Sequence, residues 1–470
     1  MSYRSRSDML GKMEVRRLLI KLAIPATIAM LANALYNLVD TIFVARWVDE
    51  IAIGALAIVF PIQMIVMAIG LMIGMGSASI FSRAYGRGDR DSMTKSVNTA
   101  LFLNLIVSVA ISLTGLIFIE QLLTLFGATE ENIEYTRQYL GVILIGLIPF
   151  SLAIVLNNLS RAEGRANVAM VSLLIGAVVN IALDPFFIRG IGFIPEMGVQ
   201  GAAVATLIAK SASFIYVFSM AMQKRSELNI RLKTIHKLDL KMTGEILAIG
   251  LPTFVRNTLG AVLAVAVNHM INFHAPADIG PGIYISIYGV INRMIMFLLL
   301  PGLGLVQGLI PIVGFNFGAR FHERLYDVIK FATRLIVAYF ALMFAFTLIS
   351  AELLFVIFSR DEDALFITEG ARAFRIISVG FTMIGFQVIL SSVYQAMGYP
   401  VRALLVGLSR QFLLFMPLLF LLTHFFALDG IWITFLSADL LAGSICLLVY
   451  ILEMKDLRRK FITVPEPSNA

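Results

Sequence analysis

The feature that most constrains this chain is the recurrence of apolar runs about 20 residues long, each closed by charged or Gly/Pro-rich breaks. About twelve such runs can be counted, centred near residues 30, 66, 107, 145, 177, 210, 259, 296, 338, 380, 411 and 441. A run of that length crosses the hydrocarbon of a bilayer as a helix, because only a helix satisfies its own backbone there. The bulk composition agrees, with 59% hydrophobic residues, 14% charged and a mean hydropathy of +0.88. A soluble protein could not hide that much apolar surface. The expected fold class is therefore an all-α integral membrane protein of twelve transmembrane helices.

The breaks sort by charge. "SRAYGRGDRDSMTK", "SRAEGRAN", "QKRSELNIRLKTIHKLDLK", "GARFHERLYDVIK", "GYPVR" and the tail "KDLRRK" are basic, whereas the alternate loops, "ATEENIEYTR" and "SRDEDALFITEG" among them, are acidic or sparsely charged. By the positive-inside bias both termini lie in the cytoplasm of a multi-pass protein of the cell's inner (plasma) membrane. The same bias accounts for the net charge of +7 without nucleic acid as a partner. The N-terminal "MSYRSRSDMLGKMEVRR" is too long and too charged for a cleavable signal peptide. The one cysteine, Cys446, lies in an apolar run, which excludes a disulfide frame. The five histidines show no metal spacing, and His269 and His274 receive no role. "GRGDR" and "GMGSAS" follow no strand and do not read as phosphate loops, so an ATP-driven pump is not expected, nor any cofactor.

The two halves resemble each other. "LAIPATI" at Leu22 answers to "IGLPTFV" at Ile249, and "GMGSASIFSRAYGRG" at Gly74 to "GLGLVQGLIPIVGFNFGA" at Gly302. "SRAEGRANVAMVSLL" at Ser160 answers to "YQAMGYPVRALLVGL" at Tyr394, and "GVQGAAVATLIAKS" at Gly198 to "ALDGIWITFLSADL" at Ala427, all at offsets of 227 to 234 residues. Small-residue motifs recur in helical membrane proteins through packing alone, but four in one order at one offset indicate a duplication. The organisation expected is an N-terminal six-helix lobe (1–222), a basic cytoplasmic linker (223–241), a C-terminal six-helix lobe (242–456) and a tail (457–470). Parallel repeats related by an axis along the membrane normal mark transporters that rock one lobe against the other.

Polar residues gather in the first half. In "ANALYNLVDTIFVA" Asn33, Tyr36, Asn37 and Asp40 stand at i, i+3, i+4 and i+7, one face of a helix. Asn157 and Asn158 end the fourth span, and Asn180 and Asp184 share a face of the fifth. Pro185 frees the carbonyl of Ile181 and kinks that helix. Asp40, Asp184, Asn180, Asn157, Tyr36 and Asn37 are the candidate coupling residues. Carboxylates and amide oxygens suit Na+, with Asp40, Asn180 and Asp184 as its ligands; a close carboxyl pair equally suits one shared proton. The competing reading is that such amides merely join helices. Asn33, Tyr139, Phe150 and Met170 are candidate substrate contacts, since aromatic faces and thioethers suit hydrophobic cations; Phe43 and Phe186 lie near the same stripe. Arg256 and Arg293, in the seventh and eighth spans, are candidates for anionic groups. Lys210 and its repeat counterpart Asp439 read best as internally paired or snorkelling charges.

"GLVQGLIPIVGFNFGAR" (Gly304–Arg320), "RAEGRANVAM" (Arg161–Met170) and "YQAMGYPVRALLVGLSRQFLLFMPL" (Tyr394–Leu418) resemble the multidrug and toxic compound extrusion (MATE) family, and "YNLVDTIFVA" resembles its DinF-like and MepA-like members. The resemblance covers nearly the whole chain. It implies two lobes, an outward-opening cleft, a monomeric unit, and export of drugs or dyes coupled to inward H+ or Na+. It also places Asp40 and Asp184 in the cation and proton site. NorM-like members carry carboxylates in the seventh, eighth or tenth helix; this chain has none in the middle of those three, which moves the coupling chemistry into the first half. The leading expectation is a secondary antiporter of amphipathic, mostly cationic compounds. A flippase for lipid-linked or anionic amphiphiles is the alternative, and a membrane-embedded enzyme is disfavoured because no catalytic cluster accompanies the two deep aspartates.

Overall fold

The computed structural model describes residues 3–48, 50–130, 132–191, 195–231, 238–359 and 363–463, all as helices and their connections. A short helix α1 (Tyr3–Lys12) precedes the first crossing, α2 (Val15–Trp47). It is followed by α3 (Glu50–Arg87), α4 (Arg90–Ile117), the brief α5 (Ile119–Leu125), α6 (Ile133–Ala162), α7 (Ala166–Arg189) and α8 (Gly198–Ala221). Five of these, with α2, make six crossings. The second bundle begins with α9 (Leu240–His274), α10 (Pro281–Gly318) and α11 (His322–Phe358). α12 (Ala364–Ser378) and α13 (Phe381–Met397) form one crossing bent by 48°. α14 (Pro400–Leu408) runs through a π-helical segment (Ser409–Leu414) into α15 (Phe415–Thr463).

α15 is two crossings. At Ala427 the backbone leaves the helical region, with φ 47° and ψ −126°. Beyond it the chain doubles back. The Gly430 Cα lies so close to the Leu422 carbonyl that an added Cβ would meet its oxygen at 2.3 Å, and the Phe415 and Phe435 rings sit 4.7 Å apart. In one straight helix residues eight apart would be separated by about 12 Å. With this reversal the count is six crossings per bundle, twelve in all, as the apolar runs predict.

The two bundles meet at the end that carries α1 and the basic loops. There α3 lies backbone against backbone on α9 and α10. A Cβ on Gly76 would stand 2.0 Å from the Ile246 carbonyl oxygen, and one on Gly250 would stand 1.9 Å from that of Met72. Only glycine allows that approach. Ser79 donates to the Gln395 carbonyl at 2.7 Å, and Arg83 to Glu245 at 3.1 Å. α1 also spans both bundles. Arg6 pairs with the fully buried Glu163 on one side, while Arg324 donates to the carbonyls of Leu10 and Met13 at 3.2 and 2.8 Å on the other. Burial pushes the Glu163 carboxyl above its ordinary range, against the opposing pull of the Glu227 N–H and of Arg6.

Candidate functional site

The site forms where α2, α6, α7 and α8 converge inside the first lobe. Asp40, Asn157, Asn180 and Asp184 are all less than a tenth exposed, and Asp184 is wholly buried. The i, i+4 spacing on α7 has the expected effect: Asn180 Nδ2 donates to Asp184 Oδ1 at 3.1 Å. The same amide donates to Thr206 Oγ1 at 3.3 Å, which ties α7 to α8. Asp40 and Asp184 face each other within hydrogen-bond reach. Pro185 sits inside α7 immediately after Asp184.

Three oxygens in this cluster, Asp40 Oδ1, Asn180 Oδ1 and Asp184 Oδ2, are buried and receive no hydrogen bond. Asn157 Oδ1 is also buried without a partner, but Asn157 lies 18 residues, about 27 Å of α6, from Tyr139, which stands beside Asp40, and it is not part of this cluster. A single orphaned acceptor in a helical bundle is already costly, and natural interiors rarely tolerate one. Three together, two of them carboxylate oxygens, form a set of hard donors that fits a small cation or a proton.

Lys210 adds a feature that the sequence did not assign to the site. Its Nζ donates to the Tyr36 hydroxyl at 2.6 Å and lies 4.3 Å from the Tyr36 ring centre and 5.0 Å from that of Phe150. Its charge also reaches Asp40. Thr206 and Lys210 stand one turn apart on α8, so both come to the site from one face. That i, i+4 pair was the available signal. Snorkelling is excluded by position: Lys210 is about 18 Å of helix from the start of α8, several times the reach of its side chain. Asp439, its repeat counterpart, is instead ion-paired with Arg410 in the π-helical segment, the internal pairing expected of it.

The remaining candidates divide. Tyr139 is buried beside Asp40 and Tyr36 and hydrogen-bonds with Gln63. Phe150 is at the site through Lys210. Asn33 lies on the Asp40 face of α2, about 10 Å away along the axis. The side chain of Asn37 lies outside the described residues. Met170 is on α7 but 14 residues from Asp184, about 21 Å along the helix, and is not part of this cluster. Arg256 on α9 is half-buried and Arg293 on α10 is exposed. Both belong to the second lobe, away from the aspartates. Asn158 bonds within its own helix: it donates to the Ile154 carbonyl at 2.9 Å and accepts from Arg161 at 3.0 Å, all three on α6. Phe43 stacks on Trp47, with ring centres 4.4 Å apart, and Phe186 is 43% exposed.

Comparison with known proteins gives the architecture a family. The MatE family model matches residues 25–186 and 277–421, well over half of the chain. The multidrug export protein MepA of Staphylococcus aureus (strain NCTC 8325 / PS 47) is 27% identical over 451 residues, covering 94% of this chain and 95% of that protein. MepA of Staphylococcus haemolyticus (strain JCSC1435) is 26% identical over 449 residues, covering 95% and 94%. Among solved structures, an outward-facing multidrug resistance MATE family transporter of the MOP superfamily superposes with a TM-score of 0.87 at 24% identity, over 96% of this chain and 98% of that one. A MOP superfamily transporter from Pyrococcus furiosus Vc1 superposes with a TM-score of 0.86 at 25% identity, over 96% and 98%. With twelve crossings in two bundles and the family model matched across both, this chain is a multi-pass membrane transporter of the MatE (multidrug and toxic compound extrusion) family.

Proposed function

We propose that this protein is a secondary antiporter that exports amphipathic, mostly cationic compounds in exchange for H+ or Na+ taken up at the Asp40–Asp184 cluster. The observation that carries the coupling half is the group of three buried, unpartnered oxygens on Asp40, Asn180 and Asp184. A site of this kind is satisfied only when a proton or small cation enters, so its occupancy and the shape of the lobe are linked. Asp40 sits on α2, whose Pro25 gives the helix a place to bend. Uptake of the ion draws α2 and α7 together, and release lets them part. Substrate and ion then compete through the conformation of the first lobe, each shifting the equilibrium by its differential affinity for the two states.

The export half rests on the family and on relatives named multidrug export proteins. The direction follows from the seam. The lobes are joined at the end with the basic loops, which the positive-inside bias puts in the cytoplasm, so a cleft between them opens to the outside. The test is transport in vesicles under an imposed pH or Na+ gradient, with a fluorescent organic cation as substrate. Gradient-driven movement of the dye is expected, and dye movement indifferent to both gradients would refute the coupling. Transport restricted to anionic amphiphiles would instead move specificity to Arg256 and Arg293.

A further inference from the structure

One cavity lies far from the aspartates. It is an open groove of about 650 Å3 on the second lobe, between α11, α13 and α15. Its lining is divided by polarity along the helix axes. At the end with the basic loops it holds four cations, Lys330 and Arg334 on α11 and Lys455 and Arg458 on α15, and no carboxylate. Two tyrosines, Tyr326 and Tyr450, stand among them. Toward the membrane interior the lining turns apolar, with Val337, Ala341, Phe386 and Ile451.

We propose that this groove is a binding site for one anionic phospholipid, whose phosphate is held by Lys330, Arg334, Lys455 and Arg458 and whose acyl chain lies along the apolar half.

The groove lining itself supplies no acid to neutralise the four cations. None forms an ion pair among the described residues, whereas most of the arginines near carboxylates in this lobe do: Arg372 with Glu369 and Asp429, Arg375 with Glu352, Arg402 with Glu453. Glu453, beside the lining residue Met454 on α15, is taken by Arg402 and Tyr394, at 3.0 Å each. The Lys330 ammonium rests 5.1 Å from the Tyr326 ring centre, and Phe386 and Tyr450 pack with ring centres 6.0 Å apart. The cations are spaced i, i+4 on α11 and i, i+3 on α15, so each helix presents its pair to one side.

The depth also fits. α11 has 37 residues, about 55 Å of helix, against a hydrocarbon core of about 30 Å. Its first turns, with Tyr326 and Lys330, therefore lie at headgroup level, and Val337 and Ala341 lie among the acyl chains. Tyrosine is the residue expected at that boundary. Four like charges left facing one groove repel each other, and a phosphate relieves that repulsion with charge-assisted hydrogen bonds. Basic pockets between helices on the cytoplasmic side are suited to anionic headgroups in this way. A free phosphate would satisfy the cations but leave the apolar half of the groove unfilled, which is why the lipid is the occupant assigned.

The test uses the full chain, stripped of lipid in detergent and reloaded with phosphatidylglycerol, phosphatidylcholine or soluble glycerol phosphate, with bound copies counted by native mass spectrometry. Wild type should retain about one phosphatidylglycerol under conditions that remove phosphatidylcholine. Lys330→Gln with Arg334→Gln, or Lys455→Gln with Arg458→Gln, should each weaken that retention about tenfold. Lys224→Gln, a cation outside the groove, should leave it unchanged. These side chains are half-buried or exposed, so the variants are expected to fold, and two separate pairs guard against the loss of one. Equal retention of the two lipids, or wild-type retention in both double variants, would overturn the site. Glycerol phosphate bound as tightly as the lipid would overturn the lipid in favour of a free phosphate compound.

Discussion

Lys210 on α8 and Asp439 on α15 occupy repeat-related positions, yet the two lobes use them differently. In the second lobe Asp439 is 3% exposed and paired with Arg410, and Gln387 donates to its backbone carbonyl at 3.3 Å. The Asp439 carboxylate is thus answered, although Asn268 Oδ1 and Gln411 Oε1 elsewhere in that lobe are buried without a partner. In the first lobe Lys210 is turned to Tyr36 and Phe150, and beside it three acceptors on Asp40, Asn180 and Asp184 have nothing to accept. A buried ion pair closes its own account of charge; a buried acceptor set without donors stays open to an ion. The comparison shows why buried charge alone does not mark a site: both lobes have it, and among the described residues only the first leaves buried carboxylate oxygens, on Asp40 and Asp184, without a donor.

That contrast breaks most readily at the aspartates. Asp40→Asn and Asp184→Asn should each lower gradient-driven export at least about a hundredfold in vesicles, the loss expected when a group essential to the cycle is removed, with the protein still folded. Asp439→Asn should leave export per folded molecule close to wild type. Coupling lost in Asp439→Asn and kept in Asp40→Asn would reverse the assignment of the two lobes.

The second effect is on stability and runs the other way. Asp439→Asn leaves the Arg410 charge without its partner and should cost about 3 kcal/mol, seen as a lower unfolding temperature in detergent. Replacing both, Asp439→Leu with Arg410→Met, should recover most of it, since a well-packed apolar pair matches a buried ion pair. A smaller change is expected from Tyr36→Phe, which removes only the hydroxyl that accepts from Lys210. It should weaken export by about tenfold or less, the worth of one charge-assisted hydrogen bond.

The smallest effects should be alike in the two lobes. Asp89 caps α4 by accepting from Ser92 N at 3.0 Å, and Asp239 caps α9 by accepting from Met242 N at 3.0 Å. Each change to Ala should cost about 1 kcal/mol. The Ser92 hydrogen bonds hold the Asp89 carboxyl below its ordinary 3.8. Its contribution is therefore present above 3.8 and is lost as the pH falls through the lowered value. A melting series in acid should show that loss in the wild type and not in Asp89→Ala.

Much of this was legible in the sequence because membrane helices obey two strong constraints. Length against the bilayer gave the twelve crossings, and the face shared by Tyr36 and Asp40, or by Asn180 and Asp184, gave one wall each of the site. What was not legible is the rotation of one helix against another. Lys210 and Met170 show both directions of the error. Lys210 looked like a charge to be paired off, and only the packing of α8 turns it to Tyr36. Met170 shares a helix with Asp184 but lies nearly four turns away. The bend between α12 and α13, the π-helical segment and the positive φ of Ala427 also escape a reading by period, since each is a backbone response to neighbours distant in sequence.

The glycine seam of α3 with α9 and α10 has a mechanical consequence. Where side chains interlock, one helix moves against another only by withdrawing knobs from holes, and intermediate positions are penalised. At Gly76, Gly86, Gly250 and Gly318 the contacting surfaces are backbone, which is smooth. Two bundles joined along such a surface behave as a rolling bearing: the contact line can travel with little change in buried area at each step. Any side chain added there acts as a wedge. It holds the lobes apart at the sealed end and tilts the whole molecule toward the opposite opening, so the same few positions that make the closure tight also set which way the transporter rests.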